Sequence, residues 1–278
     1  MKTESGFLDD KLTTTKKVMI TSDYHIPYTD PSAFHIMIQY AVKYKPDYFI
    51  INGDFLDMYS LSVFDKNPTR KFNLDDELSI GSNMLAYIRS KLPNAKIVYL
   101  EGNHENRLQR FLWRNSELAG LRQLKLPALL ELRAKGIRYI EAKHGYWGKD
   151  TGHYKQGDVL IMHGDARING ASYSKYSGYS AKNTMYSLQS SIVIGHTHRL
   201  SHVYANTPGG AVEGMECGCL CMKPGNVNWQ NGFATMEVYG SKSYNLTPHK
   251  IISDKGKSML FEGGRRYTSN IKELDSLF

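Results

Sequence analysis

Five short blocks in this 278-residue chain carry residues that could do chemistry: Asp23-Tyr24-His25, Gly53-Asp54, Gly102-Asn103-His104-Glu105, His163-Gly164-Asp165 and Gly195-His196-Thr197-His198. Each follows an apolar run, respectively Val18–Ser22, Tyr48–Asn52, Ile97–Leu100, Val159–Met162 and Ile192–Ile194. Apolar runs of that length bounded by Gly, Asp or Asn read as buried strands. In open α/β sheets, ligands sit outside the carboxyl ends of the strands. The pattern therefore predicts one shared site lined by Asp23, His25, Asp54, Asn103, His163, His196 and His198. Mixed carboxylate, amide and imidazole donors suit borderline-to-hard divalent ions: manganese first, with iron, nickel or zinc as alternatives. Seven donors exceed what one ion takes while keeping a position open for water. They suit two ions sharing a bridging carboxylate, a pair that clamps the attacking and leaving oxygens of a phosphoryl displacement.

In order and spacing, these blocks resemble the calcineurin-like metallophosphoesterases, whose pattern is D-x-H, G-D, G-N-H-[DE], H and G-H-x-H. All five are present between Asp23 and His198. Any one alone is a weak signal; together they are specific. The resemblance implies that Asp23, His25 and His198 hold one metal, that Asn103, His163 and His196 hold a second, and that Asp54 bridges them. It implies that His104 binds no metal but faces the phosphate as general acid or transition-state stabiliser. The implied fold is an αββα sandwich, two mixed β-sheets packed face to face with flanking helices. The implied activity is hydrolysis of a phosphate ester by a metal-activated hydroxide. The resemblance is silent before Lys17 and after about Asn206.

The elements that must position these residues follow from the rest of the chain. Residues 1–16 are polar and Thr-rich and read as a tail. A strand over Lys17–Ser22 opens the phosphoesterase domain, expected to span 17–252. Pro31-Ser32 starts a helix that Pro46 stops, and a second runs from Leu74 to Leu92, closed by Pro93. From Ser201 to Lys250 short β-rich segments alternate with Gly and Asn turns. Early βα alternation followed by an all-β stretch argues a mixed sheet system with helices outside. Residues 253–278 read as a polar extension that covers the surface loosely.

Hydrophobic residues make up 41% and charged residues 22%, an ordinary globular balance. No apolar run approaches the ~20 residues a membrane helix needs, and the N-terminus lacks the apolar core of a signal peptide. A cytoplasmic protein without membrane partners is expected. The excess of 35 Lys and Arg over 27 Asp and Glu gives +8. That balance suits a phosphate-ester substrate and leans towards phosphodiesters, nucleotides or nucleic acid. The alternatives are a phosphomonoesterase or protein phosphatase, or a nucleic-acid-binding protein with a structural metal site, drawing on the basic clusters Lys66–Lys71 and Arg107–Arg114.

Several residues carry two readings. Arg107 and Arg110 are phosphate contacts or a solvated helix face. Asp165 orients a ligand imidazole or is a turn residue. Tyr173–Tyr186, with Lys175 and Lys182, stacks bases or packs half-buried. Asp57 and Tyr59 line the pocket or fill a loop, with the loop role favoured. Cys217, Cys219 and Cys221 alternate along one strand face and read as small buried thiols, not ligands. His35, His144, His153, His202 and His249 are left out of the donor set.

Overall fold

The structure is a computed structural model that describes residues 14–142, 152–165, 176–222, 228–240, 242–254, 257–274 and 277. Four strands, β1 (Lys16–Thr21), β2 (Tyr48–Asn52), β3 (Lys96–Leu100) and β4 (Ile137–Ile140), run parallel and adjacent. Their crossovers carry α1 (Pro31–Tyr44), α2 (Leu74–Lys91), α3 (Asn106–Arg114) and the short turns α4 (Ser116–Ala119) and α5 (Leu126–Leu129). The chain then builds a second sheet from β5 (His153–Gln156), β6 (Val159–Met162), β7 (Ser191–Ile194), β8 (Leu200–Thr207) and β9 (Gly210–Cys217), with α6 (Tyr179–Leu188) between β6 and β7. Strands β10 (Gly232–Tyr239) and β11 (Ser243–Lys250) return to the first sheet as an antiparallel hairpin, giving the order β11-β10-β1-β2-β3-β4. The second sheet is ordered β5-β6-β7-β9-β8, parallel in its middle and antiparallel at both edges.

Period-2 alternation builds three apolar layers from these strands. Val18, Ile20, Ile50, Val98 and Leu100 of the first sheet meet Val159, Ile161, Val193 and Met215 of the second in one buried cluster. The alternate residues Met19, Phe49, Ile51, Ile97 and Tyr99 face outwards and pack with Phe34, Met37, Met84, Leu85 and Leu108 from the helices. On the far side of the second sheet, Met162, Ile192 and Ile194 pack with Ala181 and Met185 of α6. Helices, sheet, sheet and helix thus form the expected αββα sandwich.

Helix boundaries follow local chemistry. Asp30 caps α1, accepting from the backbone nitrogens of Ser32 and Ala33, with Pro31 in the first turn. Asn73 and Asp76 form a reciprocal capping box at the start of α2.

Two features differ from the sequence reading. The C-terminal segment builds a third sheet, β12 (Ile252–Asp254), β13 (Lys257–Glu262) and β14 (Arg265–Thr268), which docks on α1 with Leu260 and Leu274 buried. One apolar triplet, Met259-Leu260-Phe261, in an otherwise polar stretch carried too little signal. The three cysteines are buried and free, but they do not share a strand face. Strand β9 ends at Cys217, Gly218 turns the chain with φ +78°, and Cys219 and Cys221 sit in isolated bridges to Asn231 and Thr29.

Candidate metal centre

The strand ends deliver their side chains through strained turns. Asp23, His25, Asp54, His196 and His198 all have positive φ, between 48° and 61°. Non-glycine residues rarely adopt this conformation, and where they do so in a group the surroundings over-determine them. The turns interlock: Asp23 N donates to Gly53 O (3.1 Å), His25 N to Asp54 O (3.0 Å) and Gly195 N to His163 O (2.9 Å). Asn52 stitches the sheets together, its Nδ2 donating to Met162 O (2.8 Å). Glycine is obligatory where the turns cross. A Cβ on Gly102 would collide with the Asp54 carboxylate and backbone nitrogen, and one on Gly53 would strike the His163 ring.

All seven sequence-selected donors meet at this edge. Asp23, His25 and His198 bring donor atoms within 4.8 Å of one another, as do Asp54, His163 and His196. Asp54 lies between the two groups: its Oδ2 is 3.1 Å from His163 Nε2 and 3.8 Å from His25 Nε2. Asn103 Oδ1 joins at 3.1 Å from His163 Nε2. His104 sits at the same mouth, its Nε2 3.8 Å from Asp54 Oδ2 and its backbone nitrogen donating to Asp54 Oδ1 (2.9 Å).

The imidazoles are oriented by what their other nitrogen does. His163 Nδ1 is 2.8 Å from the Asn52 carbonyl, which only accepts, so Nδ1 carries the hydrogen and Nε2 faces the site. The same logic places a hydrogen on His104 Nδ1, 2.8 Å from the Asp57 carbonyl. His25 Nδ1 lies 3.1 Å from Asp57 Oδ1, which leaves its Nε2 for the site. That Nε2 is 2.9 Å from His198 Nε2. Two lone pairs at this distance repel unless a proton or a cation lies between them. Asp23 Oδ1, buried and with no aligned donor among the described residues, faces the same gap.

The electrostatics agree. Burial opposes the charge on Asp23, yet His198 and His25 hold its carboxyl well below the usual carboxylate range. Asp54, also against burial, is held low by His163 and His104. Burial disfavours a charged His25, but Asp23, Asp57 and Asp54 outweigh it and lift the imidazole to about 10. His163 is raised well above its ordinary value against the same burial, chiefly by Asp54, with Asp165 contributing. Buried carboxylates that draw protons onto their imidazoles are short of positive charge. A divalent cation supplies that charge, so the donor set fits one.

Asp57 is the residue that sequence reasoning set aside. It is buried, and its Oδ1 lies 3.1 Å from His25 Nδ1 and 3.3 Å from His104 Nδ1. Its only sequence signal was its place three residues after Asp54. Glu105 was likewise undervalued. Its carboxylate accepts from the backbone nitrogens of Asp54 (3.0 Å), Leu56 (2.9 Å) and Gly102 (2.8 Å) and from Tyr99 OH (2.8 Å). It thereby fixes the β2 and β3 turns to each other. Arg107 reaches the site, with Nη2 3.1 Å from His104 Nε2 and Nη1 donating to Asp57 O (2.8 Å), whereas Arg110 is exposed. Tyr59 lines the loop and holds Arg70 against its ring. Tyr173 and Lys175 lie outside the described residues. Tyr179 and Tyr186 are exposed, with Lys182 near the Tyr179 ring. His35, His202 and His249 pair with Glu273, Glu213 and Glu262, away from the centre. His144 lies outside the described residues.

Fold and donor set together define a metal-dependent phosphoesterase, a hydrolase. The family model of the calcineurin-like phosphoesterases matches residues 16–208, and the chain belongs to that family. It is similar to the Gene 54 protein of Mycobacterium phage D29, 26% identical over 250 residues, which cover 82% of this chain and 91% of that one. Among solved structures it resembles a metallophosphoesterase from Sphaerobacter thermophilus (15% identity, TM-score 0.45, 85% of this chain and 88% of that one). It also resembles Vps29 from Entamoeba histolytica (10% identity, TM-score 0.41, 91% and 99%).

Proposed function

We propose that the chain is a binuclear phosphodiesterase that works with manganese, iron, nickel or zinc, manganese first. One observation carries the binuclear reading: Asp54 stands between the Asp23–His25–His198 group and the group of His163 and His196. In that reading Asp23, His25 and His198 hold one ion, Asn103, His163 and His196 hold the other, and Asp54 belongs to both. Bound ions supply Lewis-acid polarisation of the phosphoryl group and a nucleophile at neutral pH.

The chain's own residues do the rest. His104 commits Nδ1 to Asp57, which leaves Nε2 as the atom that would protonate the departing oxygen once Arg107, now donating to it, turns to the phosphoryl group. Arg107 shares that edge and offers its guanidinium to the same phosphoryl oxygens. Asp57 aligns His25 and His104 at once and so couples a metal ligand to the acid. The net charge of +8 favours anionic esters such as nucleotides and nucleic acid.

The test is metal content and turnover of bis(p-nitrophenyl) phosphate with added manganese. Two ions per chain are expected. Asp54→Asn should bind fewer ions and lose nearly all turnover. A variant with both ions retained and most activity intact would remove Asp54 from the bridging role.

A further inference from the structure

The donor cluster opens into a cleft of about 510 Å³, with His25, His104 and Asp57 at its base beside His198. Its remaining lining is Tyr28, Arg70, Cys221, Met222 and Trp229, none of which belongs to the five strand-end blocks. A phosphoryl group alone fills a small part of that volume, so the cleft also takes the alcohol portion of the ester. The composition of the walls says which kind. Trp229 stands edge-to-face against His198, with ring centroids 4.1 Å apart and planes at 82°. Met222, on the lining of the same cleft, is 49% exposed, apolar surface that a ligand would cover. Tyr28 is half-buried and braced by Phe72, with centroids 6.4 Å apart.

Arg70 supplies the polar element. Its guanidinium lies 3.4 Å from the centre of the Tyr59 ring and 4.8 Å from that of Tyr28. One of its nitrogens, Nη1, donates to Asp57 Oδ2 (3.1 Å). A planar cation held this way is fixed in orientation, yet its side chain remains 33% exposed. Flat apolar walls beside oriented donors match a flat ring that bears acceptor oxygens and is joined to a phosphate.

We infer that this cleft is a nucleoside subsite: a nucleobase lies against Trp229, Met222 and Tyr28, and Arg70 donates to acceptor oxygens of the same ligand. The inference rests on the phosphodiesterase reading and adds to it the residues that choose the ester. It is tested by comparing kcat/KM for thymidine 5′-(p-nitrophenyl phosphate) and methyl p-nitrophenyl phosphate, which share the scissile bond and the leaving group. The nucleoside ester should be preferred by about 10-fold or more, the scale of one base stacked on an aromatic side chain. Trp229→Ala and Tyr28→Ala should each pull that ratio towards one, and Trp229→Phe should keep most of it. Equal kcat/KM for the two esters in the wild-type protein overturns the subsite and leaves the phosphodiesterase reading standing. Faster turnover of phosphotyrosine than of the nucleoside ester also overturns it.

Binding gives a readout that survives failure of the catalytic reading. In the chelator-treated protein, thymidine 5′-monophosphate should quench tryptophan fluorescence saturably while inorganic phosphate should not, and Trp229→Phe should abolish the quench. No quench, or the same quench from inorganic phosphate, overturns the subsite whatever the turnover assays show. Tighter competition by a thymidine oligonucleotide than by the mononucleotide supports a subsite for a strand. The reverse supports one for a free nucleotide.

Discussion

At the scale of single residues, position separates the roles of Asn103 and His104, although they are neighbours in one turn. Asn103 points its oxygen at His163 Nε2, whereas His104 turns to the other side and anchors its ring on Asp57. His104→Ala should therefore keep the metals and slow turnover. A general acid contributes about 10²–10⁴-fold, and the loss should fall mainly on kcat. Leaving-group dependence separates proton donation from simple positioning. A nitrophenyl ester needs little protonation and should lose less than an alkyl or nucleoside ester. Equal losses on both, or loss of metal from the variant, would assign His104 to positioning or ligation instead.

At the scale of elements, the centre depends on turns that approach one another more closely than side chains allow. Gly102 is one of them, pressed against the Asp54 carboxylate and the Glu105 side chain. Gly102→Ala should push β3 from β2 at the point where Glu105 clamps both turns. Overpacking of this kind costs about 1–3 kcal/mol or more. The thermal midpoint should fall by about 2–12 °C, since each kcal/mol shifts it by about 2–4 °C in chains of this size. Metal content should fall with it; a variant with wild-type midpoint and metal content would show that the turn can relax. These turns were legible in the sequence because each is a short local pattern, an apolar run followed by Asp, Asn or His. The strands needed only their apolar runs, and the helices only their proline signals. Asp57, Arg70 and Trp229 were not legible, because the loops after β2 and β9 return to the centre through contacts distant in sequence. The β12–β14 sheet was hidden for the same reason: Leu260 and Leu274 gain a purpose only when α1 is placed beneath them.

At the scale of the whole molecule, the candidate ligands divide between the two sheets. Asp23, His25, Asp54 and Asn103 follow strands of the first sheet, and His163, His196 and His198 follow strands of the second. Metal binding would therefore tie the sheets together at one edge of the sandwich, beside the Asn52–Met162 stitch. Without a cation, Asp23 and Asp54 draw protons onto His25 and His163, a weaker arrangement in a buried site. A ligand that binds only the folded state adds RT ln(1 + [L]/Kd), about 2.7 kcal/mol when present at a hundred times its Kd. For a chain of this size that corresponds to a rise in thermal midpoint of about 5–10 °C for one site. Scanning calorimetry of the chelator-treated protein against the same protein with added manganese should show that rise. Asp54→Asn should show a smaller one, because one residue serves both groups. A midpoint indifferent to manganese, iron, nickel and zinc alike would mean that the seven side chains do not form a metal centre in the folded protein.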